Sequence, residues 1–169
     1  LHQFSSEVLH RNLQGSQIDA YHTAKHEEAA GQVVSALSTT MPREEVERHL
    51  AGIDSPSYIA SFTDREIGEH LQKIAAGDPV SALFSHAGGY TEVTVIGHDA
   101  PFALSRFCAV LSANDANIFD ANIFTRDDGI IIDRFRVTDA ANRQQLEYRV
   151  CQKVAEDLRK VTAGETDIT

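Results

Sequence analysis

Between Asn117 and Val137 the chain reads NIFDANIFTRDDGIIIDRFRV. Two runs rich in β-branched and aromatic residues flank an Asp-Asp-Gly turn. No other stretch constrains the fold as much, because strand side chains alternate faces and a one-residue slip moves them all. With Asp128-Gly129 as a two-residue loop, Phe119, Ala121 and Ile123 would face Thr138, Arg136 and Arg134, mixing apolar with basic side chains. With Asp127-Asp128-Gly129 as a three-residue loop, a type I turn plus a left-handed glycine, the same residues face Val137, Phe135 and Asp133. Asp120 then meets Arg136, Asn122 meets Arg134, and Phe124 meets Ile132. One face becomes mostly apolar and the other gains a pair of opposite charges, so this second register is predicted. Phe119, Ala121, Ile123, Phe135 and Val137 would then share an inner surface under two helices. Asp133 is left on that apolar side, where a carboxylate needs a donor or solvent; a backbone N–H or Arg106 is the expected partner. Ile118, Phe124 and Ile132 fall on the opposite face and need cover, from N-terminal helices or a second protomer.

The segments around the hairpin supply the rest of the fold. Tyr90 to Val95 alternates and reads as a strand. Asp99 is placed to cap a following helix with Pro101 in its first turn and Ala103, Phe107, Val110 and Leu111 as its buried stripe. Ala140 to Val161 reads as a long helix with Leu146, Val150, Val154, Leu158 and Val161 on one face and Gly164 as its stop. Upstream, Phe4 to Leu13, Ser16 to Leu37 and Met41 to Ile53 read as helices. A fourth opens on a capping box, Thr63 with Glu66, and a staple of Phe62 with Ile67; it ends near Gly77-Asp78-Pro79. Val80 to Phe84 reads as a last short turn before Gly88-Gly89. The predicted class is α+β: a helical segment over 1–87, then over 88–169 a ferredoxin-like βαββα(β) unit. Its fourth strand should follow the long helix and pair with the first, yet only Glu165 to Thr169 remain. Either the chain stops short of it or another segment protects that edge.

Charge and composition exclude several classes. The formal charge is −10, from 15 basic and 25 acidic residues, which argues against nucleic-acid binding. No apolar run approaches the ~18 residues of a membrane span, and no signal peptide is visible. The chain opens at Leu1 inside a helical pattern and reads as part of something longer. Cys108 and Cys151 lie in separate helical patterns without CxxC spacing, as expected of reduced thiols in a cytoplasmic protein.

No arrangement for catalysis emerges. His98-Asp99 has the letters of an HD metal motif but closes a strand. His22 and His26, four apart with Glu27, lack a third ligand. Ser105 and Ser112 have no base nearby. Gly88-Gly89 precedes a strand rather than opening a helix around a phosphate. No catalytic residue, metal or cofactor is expected.

The stretches TEVTVIGHDAPFALSRF and NIFDANIFTRDDGIIIDRFRVTD resemble the first ACT domain of the bacterial PII uridylyltransferase/uridylyl-removing enzymes, over about Gly89 to Leu158. Helices around MPREEVERHL and FTDREIGEHLQ resemble the linker preceding it. The resemblance implies a regulatory module that senses an amino acid, glutamine, for a bifunctional nucleotidyltransferase acting on the PII nitrogen-signalling protein. Its implied partners are a small-molecule effector, another ACT domain or protomer, and the parent's catalytic domains. By position it implies a ligand site at Asp99, Ala100, Pro101, Phe102, Ala103 and Leu104, with Asn117, Ile118 and Phe119. One departure stands out: the family's turn glycine is Phe102 here, and a phenyl ring can fill the space that glycine leaves for a ligand. The alternative is an ACT module serving structure and dimerisation without sensing.

Overall fold

The computed structural model describes residues 2–164, with side chains from Gln14 onward. Helices α1 (His2–Leu37), α2 (Arg43–Gly52), α3 (Pro56–Ser61) and α4 (Asp64–Ala76) precede strands β1 (Val80–Ala87) and β2 (Tyr90–His98). Helix α5 (Ala103–Ala113), β3 (Ala116–Thr125), β4 (Ile130–Asp139) and α6 (Tyr148–Thr162) follow. The strands form one sheet in the order β1-β2-β4-β3, antiparallel throughout. The fold is α+β with the ferredoxin-like pattern. Among the described residues no helix is long and apolar enough to cross a membrane.

Each face of the sheet buries its own core. Val93, Val95, Ile131, Phe135 and Val137 pack with Phe107, Val110 and Leu111 of α5 and Val154 and Leu158 of α6. On the other side Ile96, Phe124, Ile130 and Ile132 pack with Val33, Val34, Val46, Tyr58, Phe62, Ile67 and Leu71 from α1 to α4. A strand buried on both faces loses its polar alternation, which explains the apolar run Ile130 to Ile132. The N-terminal helices therefore cover Phe124 and Ile132, as expected of that face.

The hairpin register is as predicted from Asp120 to Phe124: Asp120 pairs with Arg136, Ala121 with Phe135, Asn122 with Arg134, Ile123 with Asp133 and Phe124 with Ile132. At the strand's start it differs. A bulge between Ile118 and Asp120 puts Ile118 opposite Val137 in the place expected for Phe119. The extra residue swaps two faces: Ile118 packs on the α5/α6 core, and Phe119 turns to the other side, edge-on to Tyr90 at 5.4 Å. The five-residue inner surface is corrected accordingly. Phe135 and Val137 are buried, but Phe119 is 53% and Ile123 46% exposed, because β3 is an edge strand.

Three further expectations change. Val80 to Phe84 is no helical turn; it begins β1, which fills the fourth-strand position and pairs with β2 from Val80–Gly97 to Ala87–Tyr90. Gly88 and Gly89 form the hairpin turn, with φ of 51° and 92°, the paired positive values that a tight two-residue loop demands. The edge of the Tyr90 strand is thus protected by the segment before it. The helices expected on either side of Gly15 are one helix, α1; a single internal glycine costs only about 1 kcal/mol. Finally, α6 starts at Tyr148 rather than Ala140. The Asp139 carboxylate accepts from the N–H groups of Ala141 and Asn142, Arg143 sits at φ 59°, and such local bonds compete with helix formation. Leu146, now in the loop, stays buried, its N–H donating to Thr91 Oγ1 at 2.9 Å.

The predicted helix signals of α4 are present. Thr63 accepts from the Glu66 N–H while Glu66 accepts from the Thr63 N–H, and Gly77 closes the helix in the left-handed region. The helices of the opposite layer are tied together by Asp157. Burial opposes ionisation of this carboxyl, but bonds from Lys153 (2.8 Å) and Asn114 (2.9 Å) outweigh it and hold it below the usual range.

Candidate functional site

The residues implied as ligand contacts fall into two groups. Asp99, Ala100, Pro101 and Phe102 form the turn from β2 into α5, and Ala103 and Leu104 open the helix. Asp99 does not cap it: the N-cap is Phe102, at φ 64° and ψ 16°, without a side-chain cap bond. A non-glycine residue in the left-handed region is strained, so the position is one that a glycine would occupy without cost. Its phenyl ring is 77% exposed, projecting into solvent instead of filling the turn. The turn is held at both ends, by Asp99 N–H donating to Gly129 O at 2.7 Å and Arg106 N–H donating to Phe102 O at 2.9 Å. A small cavity of about 60 Å³ lies behind Ala100 and Ala103.

Asn117, Ile118 and Phe119 lie at the other end of the sheet. Thr91 pairs with Val137, as does Ile118, whereas His98 pairs with Ile130. Seven residues of strand, roughly 23 Å at about 3.3 Å per residue, separate the two groups. Within one chain no single amino acid can touch both.

Asp133 is 2% exposed. Burial, opposed by the Phe124 backbone N–H and reinforced by the Asp99 carboxylate, pushes its pKa up to about 7. Its Oδ1 has no hydrogen-bond partner. The expected backbone donor is thus present, and Arg106 is not bonded to it. Cys108 lies near enough for Asp133 to add to the rise that burial imposes on its thiol.

A buried polar chain without a sequence motif of its own joins the helical layer to the β3–β4 turn. Arg126 Nη1 donates to His49 Nδ1 at 3.1 Å. His49 Nε2 contacts Tyr58 Oη at 2.8 Å, which contacts His70 Nδ1 at 2.7 Å. Arginine has no acceptor, so every direction follows: His49 carries its proton on Nε2 and donates to Tyr58, and Tyr58 donates to His70. Both imidazoles are held neutral. Burial, then Arg126, lowers His49 to about 4; burial, then His49 and Arg134, lowers His70 to about 3. Arg126 also holds Asp128 through two bonds, at 2.6 and 2.8 Å. Asp127 N–H donates to Gly52 O at 2.8 Å, and a Cβ on Gly52 would come within 2.8 Å of Arg126 Cγ. A second link runs through Arg134, whose guanidinium donates to Ser61 O and Asn122, pairs with Glu92 at 3.2 Å and lies 4.6 Å over the Phe62 ring. The signal available in sequence was weak: His49 and His70 occupy apolar-stripe positions of α2 and α4, beside Val46 and beside Ile67 and Leu71.

The β3–β4 turn thus contacts both the candidate ligand turn, through Gly129 and Asp99, and the N-terminal helices, through Arg126 and Asp127. Among the described residues nothing pairs with the outer edge of β3, and Phe119 and Ile123 lie exposed along it, with Phe102 and Leu104 exposed at the start of α5.

No family model matches the chain. Its sequence is similar to the bifunctional uridylyltransferase/uridylyl-removing enzyme of Nitrobacter winogradskyi, 33% identical over 85 residues, which are 50% of this chain and 9% of that protein. The enzyme of the same name from Azospirillum brasilense is 34% identical over 101 residues, 56% of this chain and 11% of the relative. That from Thiobacillus denitrificans is 30% identical over 131 residues, 75% of this chain and 15% of the relative. The chain thus spans only a small part of the curated relatives it matches.

Proposed function

We propose that this chain is a regulatory part of a bifunctional uridylyltransferase/uridylyl-removing enzyme that acts on the PII nitrogen-signalling protein. In this reading the sheet with α5 and α6 is an ACT module that senses an amino acid, glutamine, and reports to the catalytic domains of the parent. The observation that carries it is the ferredoxin-like sheet in a chain similar to those enzymes, with an exposed β2–α5 turn bonded to a loop that also grips the N-terminal helices. Asp99 to Leu104 present backbone groups to the effector, and Asn117 to Phe119 complete the site from a second ACT copy. Two copies paired antiparallel through β3 would set the start of one β3 beside the end of the other, bringing the two residue groups towards each other.

Glutamine should therefore raise the melting temperature. At a hundredfold excess over Kd the stabilisation is about 2.7 kcal/mol, or roughly 5–10 °C for a chain of this size. Differential scanning fluorimetry reads it, and a flat response up to tens of millimolar would remove sensing from this copy.

The alternative, a dimerisation module without sensing, is favoured by the unpaired β3 edge and its exposed Phe119 and Ile123. A charge on an edge strand blocks pairing. Ile123→Lys should convert a dimer measured by light scattering into a monomer with little change in melting temperature. Phe124 is buried and Ile118 packs on the core, so charging either would test folding instead. A chain already monomeric at high concentration would count against assembly.

A further inference from the structure

On the far side of the sheet from β3 a cleft of about 480 Å³ wraps the edge of β1. Its floor is Val80, Ser81 and Ala82; Lys73 comes from the last turn of α4 on one face, and Ala155, Arg159, Thr162 and Ala163 from the end of α6 on the other. The size is that of a site for a small metabolite. We propose that this cleft binds a small organic carboxylate, held between Lys73 and Arg159.

Three observations support this assignment. First, eight Lys and Arg side chains take part in ion pairs with carboxylates; Lys73 and Arg159, like Arg48, Arg106 and Arg143, have no side-chain ion-pair or hydrogen-bond partner among the described residues, and these two line one cleft. They reach the same cleft from helices on opposite faces of the sheet. Secondly, β1 is an edge strand, so the backbone polar groups of its outer side are open to a ligand, beside the Ser81 hydroxyl. Thirdly, the charge changes sign along the strand. The first cleft holds Lys73 and Arg159 against Asp78 alone. Next to it, beside Leu83 to Ser85, a second cleft carries Glu66, Glu69 and Glu92 with Arg65. An acidic peptide laid along β1 would meet those carboxylates, while a short anion stays within the positive end. Arginine can grip a carboxylate through two parallel bonds and lysine through a point charge.

The test is a titration of the isotopically labelled chain, followed by amide chemical shifts, with succinate, and separately with inorganic phosphate. Succinate should produce saturable shifts at Val80 to Ala82 and at Arg159 to Ala163. Lys73→Met and Arg159→Met, which keep the apolar stems, should each weaken it roughly tenfold, one charge-assisted contact apiece, and the double variant should abolish it. Both residues lie at the surface, and an unchanged amide spectrum without ligand verifies that the variants are folded. Shifts confined to Asp99 to Leu104, phosphate binding as tightly as succinate, or undiminished binding by the double variant would overturn the assignment.

Discussion

Tyr58→Phe should destabilise the chain by about 2–6 kcal/mol, although it removes one oxygen and leaves the ring in place. The phenol oxygen joins His49 to His70. Without it the His49 Nε2–H and the His70 Nδ1 lone pair are both buried and unpaired, at about 1–3 kcal/mol each. Urea unfolding at pH 7 measures the loss, and a change below 1 kcal/mol would show that water replaces the hydroxyl. The same chain makes the protein acid-sensitive. Both imidazoles have folded pKa values below the ordinary 6.5, at about 4 and about 3, so the unfolded state binds more protons in between. Their contribution is complete above pH 6.5 and is lost as pH falls towards 4 for His49 and towards 3 for His70, with a ceiling of about 3 kcal/mol for His49 alone. The physical cause is the company each ring keeps: a protonated His49 would point its second N–H at the Arg126 guanidinium.

Asp133→Asn should have the opposite sign at neutral and alkaline pH, stabilising the fold by about 2 kcal/mol at pH 8. Asp133 has its pKa raised from 3.8 to about 7, so the folded state holds a proton that the unfolded state has released between those values. Stability contributed by the neutral acid is present below pH 3.8 and falls as pH rises to about 7, by roughly 4 kcal/mol at most. Asparagine cannot ionise and avoids that cost, but its amide NH₂ adds about 1–3 kcal/mol of unmet hydrogen bonding in the same dry place. The variant should therefore be less stable than the parent below pH 4 and more stable above pH 7. Curves of unfolding free energy against pH that run parallel would refute a perturbed Asp133. In the parent, two histidines oppose one carboxyl between pH 4 and 6.5, so stability should rise to a maximum close to pH 6.5–7.

The hairpin was legible because its two faces have different chemistry: only one register puts Asp120 on Arg136 while keeping Phe135 inside. The α4 boundaries were equally local, set by Thr63, Glu66 and Gly77. The candidate ligand turn was located by likeness to a family, and its departure at Phe102 is a left-handed residue with its ring in solvent.

Other features of the fold have distant causes. Val80 to Ala87 has too little alternation to announce a strand, and it is one because β2 offers an unpaired edge beside it. Ile118 and Phe119 exchange faces through a bulge that no periodicity marks, since both are apolar and either suits the core. His49, Tyr58, His70 and Arg126 are scattered over 78 positions and become one hydrogen-bonded chain only when α2, α3 and α4 close over the sheet. Patterning and caps act over a few residues, so the sequence alone determined the fold class, the hairpin pairing from Asp120 to Phe124 and the ends of α4. Edges, buried charges and the cleft at β1 depend on which surfaces meet, a matter of long-range packing that the tertiary structure alone decided.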